Sequence, residues 1–476
     1  MVGLFREDLA GKVAEIRRRA LDRYDAWLQD QSAPILADGT VGDSPMRLDE
    51  GRTEVVGPPG VSPEHLAIAN TDLQGFLADL EQLERRFDRY DDLDPHELEV
   101  TQRRLSPYSE TELAELTGGW GQDDTTPSTI NIMGKIRYAT NSVVLPMSDP
   151  EVDVPGVDRE KVKAPVWAGS AARAFNREFL LPFHEYAARQ GFCVVYLASV
   201  NQLLHEFTVA AQEDVLAIAD ACLSALDGEG ISPATAAVAV SRVSLAINLA
   251  GIFMSPVPGA IATGTTIALD AWANSLDKAE PPDWRVEAGI WKYDAIYSAF
   301  NELNRLDDLL DQNDQNVADV IATDADIYFY SSAFALKAER PDPPDAIVDS
   351  KEAPANVGDD VFVADIETVY SYGKVVMPLA ADEYLQASQL LGRCDLPPWV
   401  NAFMPNCRTE YALARSSLAA ALDGTRLHLD HVSGQLVRIC DEYTWVDEDN
   451  AAAFRAYKDD LRPEAQPPSF PRAVLH

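Results

Sequence analysis

Apolar residues recur at helical spacing along most of this chain. Leu9, Val13, Ile16, Ala20, Tyr24 and Trp27 step by three and four, which predicts an amphipathic helix over 4–30. Residues 31–62 read as a linker closing on Gly57-Pro58-Pro59-Gly60. Ser62-Pro63-Glu64 then supplies a cap and a first-turn proline for a second helix carrying Leu73, Leu77, Leu80, Leu83 and Phe87. A polar, Gly-rich stretch covers 105–127, and Ile132, Ile136, Ala139 and Val143 form a short stripe ending before Pro146. The clearest pattern runs through Cys193, Leu197, Val200, Leu204, Phe207, Ala211, Val215, Ile218, Cys222 and Ala225. Its steps of three and four predict a seam packed antiparallel against another helix of the same chain. Pro182 should kink that helix or start it afresh, and Gly228 and Gly230 should end it.

Residues 243–269 carry no charge, but Ser255-Pro256-Val257-Pro258-Gly259 cuts them into two pieces. Neither piece reaches the roughly 20 apolar residues of a spanning helix, so the reading is a buried apolar hairpin, with a membrane-competent hairpin as the alternative. Helical spacing returns over 284–312, and Asp326 to Tyr330 is expected as helix or coil. After a Pro/Asp/Ala-rich linker at 339–360, the last module pairs a helical stretch from Val361 to Leu391, interrupted at Pro378, with a second helix. That helix carries Leu418, Leu422, Leu429, Val432, Leu436, Ile439 and Tyr443. The fold class this implies is all-α: long antiparallel hairpins packed as a four-helix-bundle-like core with an apolar hairpin insert. The divisions are 1–127 (N-terminal helices and linker), 128–230 (first hairpin), 231–338 (apolar hairpin and connecting helices), 361–457 (second hairpin) and 458–476 (a Pro-rich tail of disordered composition).

Charge narrows the partners. Against 39 basic residues stand 77 acidic ones, a net −38, which repels phosphate backbones and argues against nucleic acid. The N-terminus lacks an apolar signal core, so export would have to proceed without a cleaved signal peptide. Five cysteines form no Cys-x-x-Cys. Cys394 and Cys407 bracket the second hairpin's loop, and a disulfide there would be worth about 3 kcal/mol in an oxidising compartment.

Catalytic patterns are missing from the sequence: it has no phosphate loop, no Gly-x-Ser-x-Gly elbow and no His-Glu-x-x-His. His428 and His431 lie three apart on one helix, too few ligands for a metal, and His184 and His205 lie on the long helix without an evident base role. No cofactor or metal is expected, and function by binding is the better reading than enzyme.

The turn that organises the first hairpin is Trp167-Ala168-Gly169, preceding Ser170-Ala171-Ala172 and Phe175. Gly169 permits close passage of backbone, and Trp167 fills the gap between two antiparallel helices, on the same face as Phe175. Helix, Trp-x-Gly loop, helix over roughly 128–228 resembles the WXG100 family of small helical hairpins, substrates of the type VII (ESX) secretion system. The C-terminal module is similar to the partner hairpins of that superfamily, whose export signal is Tyr-x-x-x-Asp/Glu just after the second helix. Tyr443 and Asp447 match it, while Tyr90/Asp94 and Tyr108/Glu112 are weaker placements of the same spacing. In the family, the Trp-x-Gly turn of one partner and the Tyr/acid pair of the other sit together at one end of a four-helix bundle. The resemblance implies a secreted or cell-surface protein, cytoplasmic before export, that binds the secretion machinery or a small WXG-type partner. It also implies that hairpins 128–228 and 361–457 pack in cis. The alternative is a helical toxin or pore-forming protein that deploys 243–269 in a membrane.

Overall fold

The computed structural model describes residues 2–31, 44–105, 131–147, 167–168, 175, 179–227, 286, 293–329, 363–364 and 366–460. The architecture is all-α. The helices in chain order are α1 (Val2–Gln31), α2 (Pro63–Asp88), α3 (Pro95–Leu105), α4 (Ile132–Met147), α5 (Leu181–Leu226), α6 (Asp294–Tyr328), α7 (Ile366–Ser371), α8 (Met377–Leu391), α9 (Val400–Phe403) and α10 (Pro405–Asp460). Among the described residues the strands are two-residue pieces. β1 (Arg47–Leu48) pairs antiparallel with β2 (Val55–Val56), and β3 (Trp167–Ala168) with β4 (Val363–Ala364).

Helix α5 lies at the centre. Nine of its ten seam positions are buried, with Phe207 half-buried, and Pro182 falls in its first turn, where a missing N–H costs nothing. The seam is not its only buried face. Val194, Tyr196, Ala198, Leu203, Ala219 and Ala221 are buried as well. The helix is therefore apolar nearly all round and packs against α1, α3, α4, α6 and α10, where the periodicity alone predicted one antiparallel partner. Over its 46 residues it spans about 69 Å at 1.5 Å per residue.

The neighbours are ordered by polar contacts. Helix α1 runs parallel to the C-terminal half of α5: Lys12 pairs with Asp220, Arg19 with Asp227, and Arg23 donates to the Ala225 carbonyl. Helix α3 runs antiparallel, because buried Asn201 donates to the Leu98 carbonyl at 2.8 Å and to Gln102 at 3.0 Å, while Gln212 donates to the Leu93 carbonyl at 2.7 Å. Helices α8 and α10 form the C-terminal hairpin, with α4 against α8. Buried Lys135 of α4 reaches Glu383 at 2.9 Å and Gln386 at 2.6 Å on α8. Hence α4, α5, α8 and α10 pack together within the chain.

Several sequence expectations need correction. The presumed linker 31–62 contains the β1–β2 hairpin, whose turn is tied by the Asp49 carboxylate accepting the N–H groups of Thr53 at 2.7 Å and Glu54 at 2.8 Å. On α2 the core residue is Phe76, with Leu77 beside it; on α1 Leu28 enters the core and Trp27 only leans on it. Helix α4 continues past Pro146, and α6 continues to Tyr328. Pro378 does not interrupt the C-terminal hairpin. The residues before it, Tyr372–Val376, wind as a π-helical turn, which absorbs the hydrogen bond that the proline cannot make, and α8 carries on through it. The apolar segment 243–269 lies outside the described residues. Among the described residues, no helix is long and apolar enough to cross a membrane.

The start of α10 has no cap of its own in sequence, since Pro405 opens it after Met404. The cap comes from α6. Buried Asp314 accepts the Asn406 N–H at 3.0 Å, the Cys407 N–H at 2.7 Å and the Asn406 side-chain amide at 2.9 Å. A carboxylate at a helix N-terminus satisfies orphan donors and meets the positive end of the macrodipole. Replacing Asp314 with Ala should therefore cost about 1–3 kcal/mol in urea denaturation, because the buried Cys407 N–H and the part-buried Asn406 N–H lose their acceptor; a loss below about 0.5 kcal/mol would show that the cap is dispensable.

Candidate functional site

The candidate site is the end of the bundle where the Trp167 stretch meets the C-terminal hairpin. The register of that hairpin is set by two contacts. Ser388 Oγ donates to the Ala419 carbonyl at 3.4 Å, and Ser433 Oγ donates to the Gly373 carbonyl at 2.7 Å. Gly373 lies in the π-helical turn, and a Cβ there would sit 3.0 Å from Leu436 Cβ, so glycine is what allows the two backbones this close. The Tyr372 hydroxyl, raised far above its ordinary pKa by burial, donates to the Val143 carbonyl and ties α4 to the same spot. The helices run antiparallel, and α7 continues along α10 in the same sense. Trp167 pairs with Ala364 and Ala168 with Val363. Trp167 and Ala168 are therefore joined to the segment that leads into α7 and the C-terminal hairpin.

Two details depart from the sequence reading. Trp167 and Ala168 are not a turn between helices; they are extended and hydrogen-bonded to β4. Nor does the C-terminal helix end at Tyr443. It runs to Asp460, so Tyr443 and Asp447 lie one turn apart inside α10, on one helical face, and 458–460 are helical where a tail was expected. Gly169 lies outside the described residues, as do Tyr108 and Glu112. Tyr90 belongs to the core: its hydroxyl donates to Asp307 at 2.6 Å, beside Arg86 and Arg89 on the same carboxylate.

An aromatic ladder joins the two hairpins near this end. Phe175 packs on Phe179 at 5.1 Å between ring centroids, Phe179 on Phe183 at 5.7 Å, and Phe183 against Tyr384 of α8 at 6.2 Å. Phe179 also contacts His428 of α10 at 5.5 Å. Of the sequence-singled histidines, His428 thus serves packing, His431 hydrogen-bonds with Gln435 at 2.9 Å, and His205 faces Glu99 and Glu206. Among the described residues, no group of His, Cys, Asp or Glu has the makings of a metal site.

The cysteines are free, buried thiols, and Cys394 and Cys407 do not form the disulfide considered from sequence. Burial pushes Cys222 and Cys394 up to about 12 and raises Cys407 further. Cys394, three residues past the end of α8, instead donates to the Leu390 carbonyl at 3.3 Å.

Sequence reasoning missed one group. Asp324 of α6 is 2% exposed and lies beside the Tyr196 hydroxyl of α5, with its Oδ2 lacking a hydrogen-bond partner. Desolvation raises it to about 6, against which the Tyr196 hydroxyl acts only weakly. No periodicity marks it, since Asp324 sits among apolar positions of α6. A raised carboxylate contributes stability that is complete below its ordinary value near 4 and is lost as pH rises through about 6. Asp324→Asn should be about as stable as wild type near pH 4 and more stable by up to about 3 kcal/mol above pH 7. Chemical denaturation at both pH values checks this, and a stability gap that does not widen with pH would refute it.

Comparison with known protein families, with curated proteins and with solved structures finds no match to this chain.

Proposed function

We propose that this chain is a helical protein of the type VII secretion kind that acts by helix–helix contact and carries both halves of a WXG100-like pair fused in one chain. The supporting observation is the link between the Trp167 stretch and the C-terminal module. Trp167 and Ala168 pair with Ala364 and Val363, just ahead of the hairpin that carries Tyr443 and Asp447, and the resemblance implies that the two motifs meet across such a pair of hairpins. The cis packing of α4 and α5 with α8 and α10 adds to it. On this reading Trp167 and Gly169 form one half of a recognition surface and Tyr443 and Asp447 the other. The partner is the secretion machinery, the protein is cytoplasmic before export and secreted or at the cell surface afterwards, and the role is binding and not catalysis.

Export from an actinobacterial host with a working type VII system tests the proposal. Tyr443→Ala and Asp447→Ala should each reduce the exported fraction at least tenfold while leaving the thermal melt of the purified chain within a few degrees of wild type. Export of both variants at the wild-type level, or a wild type that stays in the cells, would end the proposal. Loss of export together with loss of folding would assign Tyr443 to the core and equally remove it as a signal.

A further inference from the structure

The end of α6 lies on α5 with a carboxyl group buried inside the contact. Tyr328 packs its ring on Phe192 at 5.0 Å and on Tyr196 at 6.3 Å between centroids, and Phe329 meets Tyr196 edge-on at 6.0 Å. The Tyr328 carbonyl accepts the Cys193 thiol at 3.9 Å. Asp324 sits one turn before Tyr328 on the same face of α6, buried, with Oδ2 lacking a hydrogen-bond partner. The titratable groups around it are few. On α5 they are the Tyr196 hydroxyl and, past the Tyr328 carbonyl, the Cys193 thiol. On α10 it is the Cys407 thiol, beyond Tyr196, and on α6 itself Tyr328. Helix α2 meets α6 at Tyr293 and Asp307, about 25 Å or more back along the helix, and α9 carries no titratable side chain. No cation is among the groups acting on Asp324.

A carboxylate buried without a cation is costly, and it regains water in one of two ways. Either the whole chain unfolds, or its own segment leaves the contact. Asp324 is four residues from the end of α6, and helix ends are where local opening is cheapest. We infer that the end of α6, from Ile321 to Phe329, is a proton-operated latch on α5: it stays docked while Asp324 is protonated, and lifts far more readily once that carboxyl ionises, uncovering the Phe192, Cys193 and Tyr196 face. The direction follows from burial. In the docked state desolvation holds the Asp324 carboxyl up to about 6, and in the lifted state it returns to its ordinary value near 4. Opening is therefore constant below about pH 4, rises about tenfold per pH unit up to about pH 6, and levels off about 100-fold higher. The rest of α5 stays covered throughout. The inference is independent of the export proposal.

The test labels the full-length chain with 4,4′-dithiodipyridine and reads each cysteine by peptide mass spectrometry. Cys193 lies under the latch. Cys222, roughly 44 Å further along α5, is equally buried and serves as the control. Dividing the wild-type labelling rate by that of Asp324→Asn at each pH cancels the pH dependence of the reagent. For Cys193 this quotient should rise about 100-fold between about pH 4 and pH 7 and then stay level, while for Cys222 it stays flat. The wild type alone gives a second reading, since its Cys193-to-Cys222 rate ratio should climb over the same range. That ratio decides the matter if Asp324→Asn fails to match the wild-type circular dichroism spectrum: a climb supports the latch and a constant ratio overturns it. A flat Cys193 quotient overturns it too. So does a parallel rise at Cys222, because the whole chain and not the end of α6 would then be opening.

Discussion

The structure depends on one helix that cannot be left exposed. Helix α5 carries apolar or small side chains on nearly every face, so water must be kept from about 69 Å of cylinder. A single antiparallel partner covers about a third of such a surface. The rest is covered by α1 on one half, α3 crossing the middle, and α4, α6 and α10 on the other faces. The elements of this fold are therefore far apart in sequence yet share one core, and α5 is what they share. Removing a methylene from its buried face would be felt through all of its neighbours, since close-packed interiors transmit strain.

Apolar burial by itself leaves the helices free to slide, and the polar contacts fix their register. Asn201 holds α3, Lys135 with Glu383 holds α4 to α8, and Asp314 sets the start of α10. Each is buried with its hydrogen bonds directed at a specific residue, so a shift of one turn would strand a donor or acceptor. Asp324 is different. Its carboxylate is buried beside Tyr196 with one oxygen unpartnered, and it costs stability at neutral pH where the others contribute it.

The two hairpins meet on this frame without being its whole. A simple pair of hairpins would make a four-helix bundle; here α1, α3 and α6 also lie against α5, and the aromatic ladder from Phe175 to Tyr384 stitches the hairpins at one end. The close approach at Gly373 and the π-helical turn before Pro378 set α7 against α10, and the β3–β4 pair joins Trp167 to the segment that leads into α7. The proposed function rests on that connection.

Helical class and the main stripes were legible in the sequence, because a period of three and four records which face of a helix leaves water. The stripes on α4 and α5, and Leu418 to Leu436 on α10, are buried as their spacing implied. Periodicity reports a preferred face but not the number of partners, so it showed one seam on α5 where five helices pack. It also could not place breaks. Pro378 looked like an interruption, yet packing against α10 kept the helix continuous by widening one turn, and α10 itself runs on beyond Tyr443. The β3–β4 ladder was invisible for the same reason: hydrogen bonding between Trp167 and Ala364 joins residues nearly two hundred positions apart, and only the folded chain brings them together. Local chemistry decided which segments are helical; the long-range demand to cover α5 decided where they lie.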